Sequence, residues 1–452
     1  MIHKYNLFGT NIVADVSSGA VHVFDEVAYE VLDYYRDHDK KYILDILSER
    51  FSALQINDAW VEIKALEENG QLYSKDIYKD YLPLWDKKSV VKALCLHVAH
   101  DCNMRCKYCF ASTGDFGTGR KIMSPEVGKK AIDFLIEASG SRRNLEIDFF
   151  GGEPLLNFST VKEIFFYATS RGRECNKNFR FTITTNALLL NEEHMKFFNE
   201  NIGNVVLSID GREQVNDRMR TRVDGSGTYR DILPKIKDMA QSRNQENYYV
   251  RGTFTRENRD FSEDVLHLAD EGFRQISVEP VVAARDSGYD IREEDIPIIC
   301  REYEKLAYEY VKRRQEGNGF NFFHFMIDLE QGPCIAKRLT GCGSGHEYLA
   351  VSPEGDLYPC HQFVGMEEFK IGNVNNGIQF ENICNIFKNS NVYTKKDCIK
   401  CWARFYCSGG CAANAFQFNG DISIPYKVGC ELEKKRVECA LWIKSQLTES
   451  KI

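Results

Sequence analysis

Three cysteines, Cys102, Cys106 and Cys109 in the run Cys102-Asn-Met-Arg-Cys106-Lys-Tyr-Cys109, are the residues of this chain whose type and spacing point most directly to chemistry. They follow an apolar run, Ala93-Leu-Cys-Leu-His-Val-Ala99, that reads as a strand, so they stand on the loop leaving it. A [4Fe–4S] cluster normally takes four thiolates. Three ligands so closely spaced leave one iron open to a substrate or cofactor, which describes a reactive cluster rather than an electron wire. A zinc knuckle or a loop of reduced thiols is the competing reading, because Cys-x2-Cys also suits zinc.

A second set of cysteines lies beyond Asn318. Cys342 is followed by Gly355-Asp-Leu-Tyr-Pro-Cys360, then by Cys398-Ile-Lys-Cys401, Cys407-Ser-Gly-Gly-Cys411 and Cys430. This clustering is a metal-like layout, with zinc again the competitor. Cys95, Cys175, Cys300, Cys384 and Cys439 fall in helix or strand patterns and read as buried apolar residues. His97, His100 and His361 adjoin cysteines and read as structural neighbours rather than as acids or bases.

The elements that position these residues alternate from about Val90 to Gln315. Strands are expected at Lys92–Ala99, Leu145–Phe150, Phe179–Thr184, Asn204–Ile209, Tyr249–Thr255 and Arg274–Val281. Helical patterns fall between and after them, near Ser124–Ser139, Ser159–Cys175, Glu192–Asn199, Tyr229–Arg243, Ser262–Glu271 and Glu293–Gln315. Six β-α units make a parallel sheet but are too few to close an eight-stranded barrel. Polar motifs stand where such folds place their sites, at the carboxyl ends of strands: Gly151-Gly152-Glu153-Pro154, Thr184-Thr-Asn186 and Ser208-Ile-Asp210-Gly211. The two glycines allow close backbone approach to a ligand, and Glu153 offers an acceptor for an ammonium group. Ordinary strand-end turn chemistry is the other reading of Asn186, Ser208 and Asp210.

Cys-x3-Cys-x2-Cys with Tyr108 before the last cysteine resembles the signature of the radical S-adenosylmethionine (SAM) enzymes. The resemblance implies an open partial (β/α)6 barrel whose cluster, on Cys102, Cys106 and Cys109, chelates the methionine end of SAM. An electron from the cluster then cleaves SAM to a 5′-deoxyadenosyl radical. Gly151, Gly152, Glu153 and Pro154 would hold the SAM amino group, with Tyr108, Asn186, Ser208 and Asp210 as further contacts and Ser208 the better candidate for the ribose or carboxylate. The C-terminal cysteines resemble a SPASM domain, which implies two auxiliary [4Fe–4S] clusters. Cys398, Cys401, Cys407 and Cys430 would hold the outer one, and Cys411 would cross over to join Cys342 and Cys360 on the inner one. Either Cys334 completes the inner set or one iron stays open for a substrate thiolate.

Residues 1–80 contain no cysteine. Ile2–Leu7, Thr10–Asp15 and Val21–Phe24 read as short strands, followed by helices from the cap Asp25 through Tyr35, at Lys41–Phe51 and at Ala59–Asn69, the last ended by Gly70. This order resembles a winged-helix-like RiPP recognition element, in which a leader peptide adds a strand to the small sheet and rests on a helix. A structural cap or a dimerisation unit is the alternative. The linker is placed at Tyr78–Lys88, with Pro83 inside it, giving a recognition domain at 1–80, a radical SAM barrel at 90–315 and a SPASM domain at 320–452.

Net charge is −8, so a nucleic-acid footprint is not expected. No signal pattern or apolar run of membrane length occurs, and a cytoplasmic location is expected. The Lys434–Arg436 run reads as the solvated face of the last helix. The assembly as a whole resembles maturases that install thioethers in ribosomal peptides. It is most similar to the SCIFF maturases through Ile2-His-Lys-Tyr-Asn-Leu, Asn11-Ile-Val-Ala-Asp-Val and Ser18-Gly-Ala-Val-His-Val. That resemblance implies hydrogen abstraction from an acceptor residue, threonine in this subfamily, and C–S bond formation by a cysteine of the same peptide. The surplus electron would leave through the inner auxiliary cluster, and a flavodoxin- or ferredoxin-type protein would supply the reducing electron. A sulfatase-maturing enzyme, a carbon–carbon cross-linking cyclase and a non-catalytic iron–sulfur electron carrier remain as alternatives.

Overall fold

Ile2–Leu7 (β1) and Thr10–Asp15 (β2) turn back on each other at Phe8 and Gly9, both in the left-handed region at φ 50° and 82°. Val21–Phe24 (β3) pairs antiparallel with the far side of β2, giving a sheet in the order β1-β2-β3. Asp25 caps the helix Glu26–Tyr34 (α1) by accepting from the Ala28 amide. Lys40–Leu47 (α2) and Ala53–Glu68 (α3) close over a core of Val13, Val31, Ile43, Ile56 and Ile63. α3 starts six residues before the expected Ala59, because Ser52 and Gln55 form a reciprocal capping box. α2 stops at Leu47, short of the expected Phe51.

The structure, a computed structural model, describes residues 1–86, 90–282, 287–329 and 334–449, without the side chains of 83–86 and 448–449. The expected linker begins as a 3₁₀ turn over Tyr78–Asp86. The Pro83 side chain and the linker's end at Lys87 and Lys88 lie outside the described residues.

All eight positions of Ala93–His100 (β4) are buried, as befits a parallel strand covered on both faces. A short strand, Lys121–Ile122 (β5), folds back antiparallel on its end. The chain then alternates: Pro125–Ala138 (α4), Asn144–Gly151 (β6), Phe158–Cys175 (α5), Asn178–Thr185 (β7), Glu192–Asn201 (α6) and Asn204–Ser208 (β8). It continues through Glu213–Met219 (α7), Tyr229–Ser242 (α8), Tyr248–Phe254 (β9), Phe261–Asp270 (α9), Gln275–Pro280 (β10) and Ile296–Gln315 (α10). Strands β10-β9-β8-β7-β6-β4 lie side by side and all parallel. They are the six strands expected, within two residues at each end. The short helix α7 was not expected.

The sheet does not stop at the barrel. Asn321–Phe322 (β11) extends it beyond β10. After Ile335–Thr340 (α11), the strand Tyr348–Val351 (β12) pairs parallel with β4, Ala350 lying opposite Cys95. Asp356–Tyr358 (β13), Gly372–Asn373 (β14) and Gly377–Ile378 (β15) continue as an antiparallel meander. One sheet therefore crosses the boundary placed at 315–320.

Glu381–Asn389 (α12), Lys396–Ile399 (α13), Arg404–Cys407 (α14) and Ala412–Asn419 (α15) carry the C-terminal cysteines or flank them, and Lys427–Glu449 (α16) is the last element among the described residues. α16 packs on α10 and on the first sheet, where the Tyr5 hydroxyl donates to the Glu438 carbonyl at 2.8 Å and the His3 ring stacks on Trp402 at 3.7 Å. This corrects the expected solvated face. Lys435 bridges Glu304 and Glu438, and Arg436 pairs with Glu433, because α16 is covered on both sides. Cys95 and Cys439 are buried as expected, whereas Cys175, Cys300 and Cys384 are partly exposed, Cys175 because it ends α5. Among the described residues no helix is long and apolar enough to cross a membrane.

Candidate active site

Pairing to a distant segment fixes the cysteine loop. The Arg105 amide donates to the Thr221 carbonyl at 2.7 Å and the Lys107 amide to Met219 at 2.9 Å, while Met104 bridges to Arg222. The end of α7 thus supplies a backbone rail for the loop. Arg105 folds back to donate to the carbonyls of Cys102 and Met104, both at 2.7 Å. From the next strand end, Asn186 Nδ2 donates to Asn103 Oδ1 at 2.8 Å and reaches Cys102 Sγ at 3.6 Å.

The glycines after β6 line the cavity and also serve this loop directly. The Gly152 and Glu153 amides donate to Ala99 and Asp101, each at 2.8 Å. A Cβ on Gly151 would stand 2.3 Å from the Ala99 carbonyl oxygen, and one on Gly152 would stand 2.1 Å from that of Asp101. Only glycine lets the two segments lie this close. Glu153 is fully buried and already accepts from the Leu155 amide at 3.0 Å, the Thr185 hydroxyl at 2.8 Å and the Asn186 amide at 2.8 Å. Of the lone-pair directions a carboxylate offers, one is left for a ligand. Pro154 begins a buried 3₁₀ turn and does not line the cavity.

Asp210 also departs from expectation. It lies beneath the cavity wall, 1% exposed, and accepts the Tyr108 hydroxyl at 2.8 and 2.7 Å and the Thr253 amide at 3.1 Å. Arg220, at 7% exposure, donates to the same hydroxyl at 2.9 Å. Burial pushes Asp210 up to about 6, against the pull of Arg220 and Tyr108. Tyr108 and Asp210 therefore brace the loop from below.

Cys102, Cys106 and Cys109 face one cavity of about 220 Å³, lined also by Gly151, Gly152, Glu153, Asn186 and Ser208. Tyr108 shares the wall through its ring. Burial holds Cys102 up at about 12 and Cys106 at about 11, so ligation of a metal must displace their protons. No three His, Cys, Asp or Glu side chains among the described residues converge on one point as a single metal ion requires. The loop offers instead three soft sulfur donors spread over one wall, a set that fits an iron–sulfur cluster.

Sequence reasoning missed further residues of the lining. Arg251 Nη2 donates to Glu279 Oε2 at 2.8 Å inside the cavity. Burial alone would raise Glu279, but Arg251, His324 and Arg436 outweigh it and hold the carboxylate at about 2. His361 and Gln362 also line the cavity, directly after Cys360. The His361 ring meets Phe150 at 5.1 Å and Phe110 at 5.6 Å, and its Nδ1 lies 3.2 Å from the Tyr348 hydroxyl. His97 and His100 are buried against each other, Nδ1 to Nε2 at 3.2 Å, outside the cavity lining. Single charged residues on parallel strands have no spacing motif, so the Arg251–Glu279 pair left no sequence signal.

The seven C-terminal cysteines gather in two groups. Besides burial, Cys411 and Cys342 push the Cys360 thiol up, and Cys342 does the same to Cys411. Burial raises Cys407 to about 12 and Cys430 to about 11, with Cys398 and Cys401 adding to both. Cys334 caps α11 and is exposed. Between the groups lies Lys395, 3% exposed, whose Nζ donates to the Gly409 carbonyl at 2.8 Å. Ser408, Gly409 and Gly410 are all left-handed, at φ 60°, 88° and 76°, so the loop from Cys407 to Cys411 curls around that ammonium. Burial lowers the Lys395 pKa, while Cys398, Cys407, Cys411 and Cys430 draw it back.

Residues 96–269 match the Radical SAM superfamily. The chain is 36% identical over 143 residues to an uncharacterised protein of Methanocaldococcus jannaschii, a match spanning 46% of that protein. It is 24% identical to the radical SAM cyclopropyl synthase TigE of Paramaledivibacter caminithermalis, over 93% of this chain and 89% of that one. In fold it is similar to anSMEcpe with bound AdoMet and the Cp18Cys peptide, with TM-score 0.65 and 17% identity over 80% of this chain and 99% of that one. SuiB of Streptococcus suis bound to its precursor peptide SuiA superposes with TM-score 0.51 and 16% identity over 95% and 98% of the two chains. The fold is that of the radical SAM α/β enzymes, and the relatives include a PqqA peptide cyclase of Bradyrhizobium diazoefficiens, 23% identical over 73% of this chain and 84% of that one.

Proposed function

We propose that this radical SAM protein is a maturase that forms intramolecular thioether crosslinks in a ribosomally made, cysteine-rich precursor peptide, joining a cysteine sulfur to an acceptor carbon, threonine by resemblance. The observation that carries the reading is that one cavity is lined from both cysteine regions. Cys102, Cys106 and Cys109 line it together with His361 and Gln362, which directly follow Cys360 of a second thiol group. A crosslink that removes two hydrogens from a peptide needs a hydrogen acceptor on one side and an electron acceptor on the other. Relatives agree in kind: subtilosin biosynthesis protein AlbA of Bacillus subtilis is 23% identical over 61% of this chain and 56% of that one.

On this reading Cys102, Cys106 and Cys109 hold a [4Fe–4S] cluster, Cys398, Cys401, Cys407 and Cys430 the outer auxiliary cluster, and Cys342, Cys360 and Cys411 the inner one. Together with SAM, the first cluster supplies a carbon-centred radical able to take a hydrogen atom from an unactivated side chain. The chain does the positioning. Asn186 and Ser208 present polar groups to the cofactor from two strand ends, and Glu153 keeps one lone pair for its ammonium. Arg251 and Glu279, paired across two adjacent strands, present a donor and an acceptor to the backbone of an extended peptide. The leader would extend the sheet at β3. β1 is covered by α16, whereas β3 ends its sheet beside a cleft of about 500 Å³ lined by Phe24, Ala28, Ile63 and Leu66.

The test is anaerobic. The reconstituted protein is incubated with SAM, a one-electron reductant and the cysteine-rich peptide encoded nearest its gene, with iron counting and mass spectrometry. About twelve irons, deoxyadenosine and a peptide two mass units lighter per crosslink are expected from three four-iron clusters. Deoxyadenosine with oxidation but undiminished thiol alkylation would point to a carbon–carbon crosslink. Zinc in place of iron, with no deoxyadenosine, overturns the assignment.

A further inference from the structure

The N-terminal unit holds nearly all the surplus charge of the molecule. Residues 1–80 carry fifteen Asp and Glu against eight Lys and Arg, so seven of the eight excess negative charges fall on less than a fifth of the chain. The surplus is unevenly compensated. Lys4 pairs with Asp33, Arg36 with Glu67, Arg50 with Glu26 and Glu30, and Lys64 with Glu68. These cations are committed to α1 and to the end of α3.

The cleft beside β3 receives none of them. Asp25 and Glu62 stand on its rim, and no Lys or Arg lines it. Asp58 lies one turn before Glu62 on the same face of α3, and both are exposed and without an ion pair among the described residues. The floor is apolar, with Phe24, Ile63 and Leu66, and His22 lines it beside them, its Nε2 3.2 Å from the Gln71 carbonyl oxygen, while Val23 is 47% exposed on the free strand itself. An unpaired strand edge takes an added strand through main-chain hydrogen bonds, and alternate side chains set specificity. Here the same cleft offers an added segment an apolar floor and a rim of carboxylates.

We infer that the segment docking on β3 is a cationic one: a leader peptide that sets apolar residues into the cleft and Lys or Arg against Asp25, Glu62 and the neighbouring Asp58. This rests on the recognition of a leader at β3 proposed above and adds the chemistry of that partner. Like-signed segments are turned away by the same field, so the surface selects as well as attracts.

The test uses the full chain and two labelled synthetic peptides of about a dozen residues, one alternating Leu with Lys and the other Leu with Glu. Fluorescence anisotropy gives affinities at low and high salt, and hydrogen exchange reports the amides of residues 21–24. The Lys peptide should bind at least about tenfold more tightly than the Glu peptide and lose most of that margin in high salt. It should also slow exchange in β3. The exposed double variant Asp58→Lys/Glu62→Lys, checked for an unchanged melting temperature, should reverse the preference. Protection of β3 by both peptides alike, or a preference the double variant leaves intact, overturns the cationic partner while leaving docking at β3 standing. Binding of the Lys peptide with no protection of β3 overturns both.

Discussion

Gly152→Ala separates close approach of chain to chain from close approach of chain to ligand. The backbone at Gly152 is one that alanine can adopt, so the cost comes from contact alone. The added Cβ would lie 2.1 Å from the Asp101 oxygen and 2.9 Å from that of Gly114, about 1 Å inside ordinary contact. The strand end must therefore withdraw from the cysteine loop. Doing so stretches the Gly152–Ala99 and Glu153–Asp101 hydrogen bonds, each worth about 0.5–1.5 kcal/mol. Overpacking adds about 1–3 kcal/mol, for a total of about 2–6 kcal/mol. A displacement of about 1 Å between Glu153 and the cysteine loop should also lower the rate of SAM cleavage about a hundredfold. Gly70→Ala is the control: its site is left-handed at φ 68° but open, so only backbone strain of about 1–2 kcal/mol applies. Denaturant unfolding of the metal-free protein gives the stability, and deoxyadenosine formation after anaerobic reconstitution gives the rate. A Gly152→Ala protein that unfolds with Gly70→Ala and cleaves SAM at the parent rate would refute the reasoning.

Tyr108→Phe removes a hydroxyl bonded to both Asp210 oxygens and to Arg220, and should cost about 1.5–3 kcal/mol in denaturant unfolding; no change would mean that the loop is braced elsewhere. Asp148 is raised to about 7 by burial first and by Glu146 second. Its raised folded pKa makes its contribution to stability full below about pH 4 and lost as pH climbs through 7, so Asp148→Asn should flatten the fall in stability between about pH 4 and 7. An unchanged pH profile would contradict this. On the cluster assignment proposed above, Lys395→Met takes a positive charge from between the two thiol groups and should lower the reduction potential of the outer cluster, leaving that of the SAM-site cluster unmoved. Redox titration followed by electron paramagnetic resonance reads both, and full iron content with an unmoved outer potential would count against it.

What could be read from sequence was local. The apolar run ending at Ala99 placed β4, and the Gly151–Pro154 motif fell at the end of β6 as expected, because strand ends are marked by a change from apolar to polar residues within a few positions. The start of α3 was readable in principle from Ser52 and Gln55, but the apolar period that sets the later turns does not reach them. Arg220, Arg251 and Glu279 were not readable. Each acts through a partner from another strand or loop, and a single sequence does not show which residues folding brings together. The same limit hid Asp210: its position at a strand mouth was clear, whereas its engagement by Tyr108, more than a hundred residues earlier, was not. The pairing of β12 with β4 is the widest case, joining strands about 250 residues apart with no motif on either.

That pairing also determines how the molecule can move. A hinge between the barrel and the C-terminal region would have to bend across β4 and β12, where four residue pairs, from Tyr348 with Ala93 to Val351 with Leu96, are locked in parallel register. Hinge closure in proteins works through a few loop residues that absorb the rotation, and a continuous strand ladder offers no such place. The two regions therefore behave as one stiff body along this seam. The separation between the carboxyl ends of β4 and β13, from which the two sets of thiols depart, is therefore a dimension of the sheet.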